Sequence, residues 1–294
     1  MRLPQAGVLI ADIVDPMSVT ERSAMEHPAL ERLIRRALEH HEVDLAFQPV
    51  FELTTGSLVG VEALLRLKDS TGESVSALAV VQAAERSGLI DDLGWRVLEL
   101  AIAQCGAWLE ELDELVPIAV NVSAAQLEAP HFAHDLQAAI TRAGIPAGTI
   151  SIELTETVLL NTVVATEQLR ELGLAGVDLA IDDFGTGYSS LTYLHRLPAT
   201  SVKIDQSFVS GVPEDGKAVA IVSGVVALAR TCGIACVAEG IETEAQRAHL
   251  SELNILGQGY LLGMPGDAAA IGHLVQAGRL EKHSAREERL TTRR

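Results

Sequence analysis

Residues 47–66 read FQPVFELTTGSLVGVEALLR. Two apolar runs stand on either side of Thr54-Thr55-Gly56, a turn too short to hold a crossover helix. Runs joined this way pair antiparallel as a hairpin, with strands placed here at Leu45–Pro49 and Ser57–Leu65. The second run, LVGVEALLR (58–66), is the first of seven of one kind. The others are IAVNVS (118–123), ISIELTE (150–156), DLAIDDF (178–184), SVKID (201–205), ACVAEG (235–240) and GQGYLL (257–262). Each is rich in Val, Ile, Leu or Ala and bounded by turn residues, the signature of a strand buried on both faces.

Each run also carries, at or near its end, a polar residue able to hold a metal or touch a phosphate. These are Glu62, Asn121, Glu153, Asp182 with Asp183, Lys203, Glu239 and Gln258. Acids and amides at the C-terminal ends of successive parallel strands mark the active face of a (β/α)8 barrel. Amphipathic helical spacing fills the gaps, over 77–87, 94–114, 131–143, 161–172, 217–232, 243–253 and 267–277. The pattern predicts an α/β fold: a TIM-like (β/α)8 barrel with an antiparallel first strand, in a single domain over residues 29–278. Residues 1–28 lie outside the pattern as an extension that is an extra strand, a dimer arm or a loose segment. Residues 279–294, RLEKHSAREERLTTRR, form a charged, solvated tail.

The length of 294 residues suits a barrel of this kind, which takes ~250, and 48% hydrophobic residues supply its core. Aromatic residues are only 3%, too few for stacking platforms along a single strand of nucleic acid. A formal charge of −18 argues against DNA, RNA or an anionic membrane as general partners. A small anionic substrate is compatible with it where metal ions and local cations receive the charge. Three cysteines, Cys105, Cys232 and Cys236, suit a reducing compartment, and the TCGIACVAE context reads as small buried side chains rather than a metal site. The N-terminal GVLIADIV is short and interrupted by Asp12, so neither a membrane span nor a signal peptide is expected and the chain reads as cytoplasmic.

Glu62, Asn121, Glu153 and Asp182 are oxygen donors on different strands, the ligand type hard cations such as Mg²⁺ or Mn²⁺ prefer. Carboxylates buried face to face repel one another unless a cation sits among them. The exact strings add more. Glu62-Ala63-Leu64, NVS (121–123), ELTE (153–156), DDFGTGYSSL (182–191), KID followed by QSFV (203–209), AEGIET (238–243) and QGY (258–260) occur in one order. In this the chain resembles the EAL family of cyclic di-GMP phosphodiesterases over roughly residues 30–280.

The resemblance implies metal-dependent hydrolysis of the second messenger cyclic di-GMP to linear pGpG, by two-metal, in-line attack of water on one phosphodiester. It implies two Mg²⁺ or Mn²⁺ ions per site. Glu62, Asn121, Glu153 and Asp182 match ligands of the first ion, Asp182 with Asp183 the carboxylates of a second, and Glu239 an acid of the same network. Lys203 matches the lysine that orients or deprotonates the water, and cations around it are expected to depress its pKa. Gln258 matches a glutamine that positions water and phosphate; Gln48 and Arg66 match substrate contacts. Glu156 and Glu242 match supports of the site, and Gly185 and Gly187 let the loop 184–190 bend over the ions. The family also implies a homodimer.

The chain departs from the family pattern in three places. LNILGQGY lacks the acidic step common before the glutamine, which implies an altered approach to Gln258; Leu67 stands where a tryptophan is usual, and Ser76-Ala77 where a proline is common. Two other readings stay open: a catalytically impaired receptor for cyclic di-GMP, and a protein-interaction module. A kinase reading of Asp183-Phe184-Gly185 fails for want of a G-x-G-x-x-G loop and a His-Arg-Asp loop. A zinc hydrolase fails for want of H-E-x-x-H spacing among the nine histidines. No cyclase signature or sensor sequence accompanies the barrel, so regulation is expected from the N-terminal segment, oligomerisation, a partner or expression level.

Overall fold

The hairpin forms as the short turn requires. In the computed structural model, which describes residues 27–155, 163–186, 194 and 197–278, β1 (Asp44–Glu52) and β2 (Leu58–Arg66) pair antiparallel from Asp44↔Arg66 to Phe51↔Leu58. Parallel strands follow: β3 (Ile118–Asn121), β4 (Ile150–Thr155), β5 (Asp178–Phe184), β6 (Ser201–Ile204), β7 (Ala235–Ala238) and β8 (Leu256–Gly257). β8 then pairs with β1, Gly257 against Phe51 and Leu256 against Glu52, which closes the barrel in the order β1 to β8. The expected architecture, including its antiparallel first strand, is therefore present.

The last run is shorter than its sequence suggests. GQGYLL leaves the sheet after Gly257, because the chain turns back on the loop that follows β7. Ile241 N–H donates to Gln258 O at 3.1 Å, and Leu261 N–H donates to Ile241 O at 3.0 Å. Gly259 permits this crossing: a Cβ there would lie 2.2 Å from the Ile241 backbone nitrogen.

The helices are α1 (His27–Glu39), α2 (Ala77–Ser87), α3 (Ile90–Leu112), α4 (Ala124–Glu128), α5 (Phe132–Ala143), α6 (Val163–Leu174), α7 (Gln206–Val209), α8 (Gly216–Cys232), α9 (Glu244–Ser251) and α10 (268–278). α1 stands at the start of the expected domain, where no helix was assigned from the sequence. Its Leu30, Leu33, Ile34 and Ala37 recur at helical spacing and are buried in the core. Ser76, at a departure from the family pattern, caps α2 by accepting the N–H of Ala79. Leu67, at another, is buried in the core.

Two apolar clusters fill the molecule. The larger joins α1, β1–β4 and α3, with Trp108 and Phe132 among its largest buried side chains; the second lies around Ile181, Val202, Ile204, Val222 and Ile241. Each fully buried Leu, Ile or Phe contributes about 1.5–3 kcal/mol, so the barrel wall has ample driving force. Trp108 packs edge-on against Phe47 at 5.0 Å between centroids, and its Nε1 donates to Ala268 O at 3.3 Å, tying α10 to the wall. Cys105 and Cys236 are buried as expected, and burial pushes their thiols up to about 11 and about 12. Cys232 is exposed, at the end of α8 rather than on the buried strand, which corrects the reading of that pair as buried. Among the described residues no helix is long and apolar enough to cross a membrane. The extension, apart from the start of α1, and the tail from residue 279 lie outside the described residues.

Candidate active site

Strand register brings the polar ends together. Gln48 stands opposite Glu62, Asn121 opposite Glu153, and Thr155 opposite Asp182. Glu239 follows β7 directly, its N–H donating to Ile204 O at 3.1 Å, and Gln258 follows β8, its N–H donating to Ala238 O at 2.9 Å. Neighbours in a strand face opposite sides. Asp182 and Asp183 escape that rule, since the β5–β6 register slips between Ile181 and Phe184 and Asp183 takes a φ of 52°, in the left-handed region. Both aspartates are buried, and ligand oxygens of Asp182, Asp183 and Glu239 lie within 4.8 Å of one another.

Lys203 is the centre of the constellation. Its Nζ lies 2.7 Å from Glu239, 2.8 Å from Glu153, 3.2 Å from Glu62 and 3.6 Å from Asp182. The side chain is almost wholly buried. Burial opposes its charge, but Asp182, Glu153, Glu239 and Glu62 together hold it protonated, well above the usual lysine value. The expected depression of Lys203 supposed cations around it; among the described residues the groups around the amine are four acids, which act in the opposite direction.

The carboxylates do not share one fate. Burial raises Glu153 and Glu239 well above the usual range and raises Asp182 too, with neighbouring carboxylates adding to the effect despite Lys203. Burial acts the same way on Glu62, but Lys203, Gln258 and Asn121 outweigh it and hold this carboxyl below its usual value. Asn121 Nδ2 donates to Glu62 Oε1 at 2.8 Å, and Gln258 Nε2 donates to Glu62 Oε2 at 2.7 Å and to Gln48 Oε1 at 3.0 Å. Gln48 Nε2 in turn donates to Gly263 O at 3.4 Å. The altered approach to Gln258 thus leaves its amide against Glu62.

Four carboxylates facing one ammonium leave an excess of negative charge in a buried place. Groups that resist ionisation under those conditions are satisfied by a hard divalent cation, and every donor here is an oxygen or can present one. Gln258 Oε1 is buried without a partner among the described residues, a further acceptor for whatever fills the site. The residues present therefore fit such an ion.

The other expected residues are less central. Arg66 ends β2, half-buried, with Nη1 donating to Leu65 O at 3.0 Å. Glu242 is exposed just before α9, and its N–H donates to Gln246 Oε1 at 2.8 Å. Gly185 has a φ of 103°, which only glycine adopts readily, and a Cβ there would approach Phe208 to 3.2 Å. Glu156 and Gly187 lie outside the described residues. One residue was missed. Asp205 is buried and caps α7 through Oδ1, which accepts from the N–H of Ser207 at 3.1 Å, while its Oδ2 has no partner among the described residues. The signal was an acid between a strand and a short helix, in the KID string already quoted.

The chain matches the EAL domain family over residues 31–265. It is 39% identical over 245 residues to the bifunctional diguanylate cyclase/cyclic di-GMP phosphodiesterase MucR of Pseudomonas aeruginosa, covering 83% of this chain and 36% of MucR. It is 35% identical over 263 residues to the cyclic di-GMP phosphodiesterase NbdA of the same organism, covering 88% of this chain and 33% of NbdA. The chain thus spans about a third of the length of these curated relatives. Among solved structures, the MucR phosphodiesterase in complex with c-di-GMP superposes with a TM-score of 0.77 at 38% identity, covering 82% of this chain and 99% of that one. The EAL enzyme Bd1971, bound to cAMP and cyclic di-GMP, gives 0.80 at 29% identity, covering 87% and 71%. With barrel, motifs and relatives in agreement, this chain belongs to the EAL domain family.

Proposed function

We propose that this chain hydrolyses cyclic di-GMP to linear pGpG. The observation that carries the reading is the ring of buried Glu62, Glu153 and Asp182 with half-buried Glu239 around Lys203, in a chain similar to NbdA and MucR. In this reading Glu62, Asn121, Glu153 and Asp182 hold one Mg²⁺ or Mn²⁺ ion, and Asp182, Asp183 and Glu239 a second. Such ions supply an activated water and neutralise charge growing on the phosphate.

The chain's own residues do the rest. The carboxylate ring holds Lys203 and presents oxygen donors on one face. Lys203 enters as a positive group that orients the attacking water and stabilises the developing anion. Gln258, held by Glu62 and Gln48, points its free carbonyl oxygen at a water hydrogen. Arg66 and Gln48 receive the nucleotide, Arg66 at a phosphate oxygen. Water oxygen bonds to phosphorus as the bond to the 3′ oxygen breaks in line, and that oxygen leaves with a proton. Purified protein given cyclic di-GMP and Mg²⁺ yields pGpG under this reading. Tight binding of intact nucleotide without product makes the chain a receptor instead.

A further inference from the structure

We infer that Lys203 is a built-in counter-cation: it holds the acidic ring together while the site lacks divalent ions and gives up its carboxylate contacts as they load. The inference rests on the metal-binding reading above. The ring is drawn from β2, β4, β5 and the end of β7, and Lys203 rises from β6 into its middle. Among the described residues it is the cation paired with all four acids, at 2.7–3.6 Å. The ammonium takes one oxygen of each acid, Glu62 Oε2, Glu153 Oε2, Asp182 Oδ2 and Glu239 Oε1, and its charge opposes that of an incoming divalent ion. Glu62 and Glu153 are shared between the ammonium and the expected first ion, and Asp182 and Glu239 between the ammonium and the second. The lysine stem is flexible, and its head can withdraw while the strands stay fixed. Loading is therefore an exchange of one cation for others on a ring that never loses its counter-charge, rather than the assembly of a ring from scattered acids.

The test compares wild-type protein with Lys203→Met and Lys203→Arg, using Mn²⁺ alone as the probe. Calorimetric titration of Lys203→Met is expected to show Mn²⁺ bound at least about tenfold tighter than in wild type, because a competing charge is gone. Its ion-free melting temperature is expected to drop by roughly 10 °C and to recover at saturating Mn²⁺. Lys203→Arg, which keeps the charge, is expected to bind Mn²⁺ no tighter than wild type. A lysine serving packing alone would lower the melting temperature equally with and without the ion, and that result overturns the inference. Should Lys203→Met fail to fold, nitrogen-15 lysine spectra of the wild type decide. A buried ammonium signal that shifts as Mg²⁺ is added supports the exchange, and one that stays put while Mg²⁺ binds overturns it. Wild type that binds neither ion overturns the metal reading and this inference with it, whereas unchanged affinity in Lys203→Met overturns this inference alone.

Discussion

The wall of the barrel and its mouth are built by opposite rules. In the wall, Ile118, Ile150, Ile152, Leu154 and Ile181 are fully buried, regularly paired and surrounded by apolar neighbours. At the mouth, three buried carboxylates and a half-buried one surround a buried lysine, Asp183 sits at a left-handed φ of 52°, and Gln258 keeps an oxygen without a partner among the described residues. The wall supplies stability and the mouth consumes it. The lesson is that the buried charge persists because the packed strands below leave it nowhere to relax.

The sharpest way to break the comparison is to alter the mouth alone. Glu62→Ala removes a shared carboxylate and its bonds to Asn121 and Gln258, so turnover of cyclic di-GMP is expected to fall to background while circular dichroism keeps the folded spectrum. Wild-type rates in that variant would remove Glu62 from the account. Lys203→Ala is expected to lose roughly a hundredfold or more in turnover yet retain nucleotide binding. If nucleotide binding disappears and turnover per bound nucleotide is intact, the lysine is a substrate contact.

Altering the wall alone should do the reverse. Ile152→Ala empties a fully buried place on β4 next to Glu153 and is expected to cost about 2–5 kcal/mol in urea unfolding. The surviving folded fraction should keep its metal requirement. A loss of activity without a loss of stability would mean that wall and mouth are not separable.

The smallest effect joins the two regions through pH. Glu153 and Glu239 are raised well above the ordinary 4.5 and Asp182 above 3.8, burial being the largest cause. An acid with a raised folded value holds its proton longer when folded than when unfolded. Its contribution to stability is therefore fullest below the ordinary value and falls as pH rises through the carboxylate range. Glu62, shifted downward, offsets part of this. Divalent ions relieve the cost, so Mn²⁺ should raise the melting temperature more at about pH 8 than at about pH 5. Equal shifts at both values would contradict the assignment of these acids to the ion site.

Much of this was legible beforehand, for physical reasons. Buried parallel strands must be continuous apolar runs, so β2 to β7 announced themselves, and the three-residue turn at 54–56 forced β1 to be antiparallel. A polar residue at each strand end had nowhere to go but the mouth. What escaped depended on long-range contact. β8 is short because Gly259 crosses the Ile241 backbone, which no local pattern reports. The inward turn of Asp183 depends on a register slip against β6. The charge state of Lys203 depends on four acids from strands remote in sequence. α1 is different: the helical spacing of Leu30, Leu33, Ile34 and Ala37 was readable in the sequence.

The most direct test of the account is hydrolysis of cyclic di-GMP by the purified chain with Mg²⁺, with Mn²⁺ and with chelator, products separated by chromatography. The account predicts pGpG in the presence of either ion and none with chelator. Intact cyclic di-GMP in all three samples, or product formation indifferent to chelator, would contradict it.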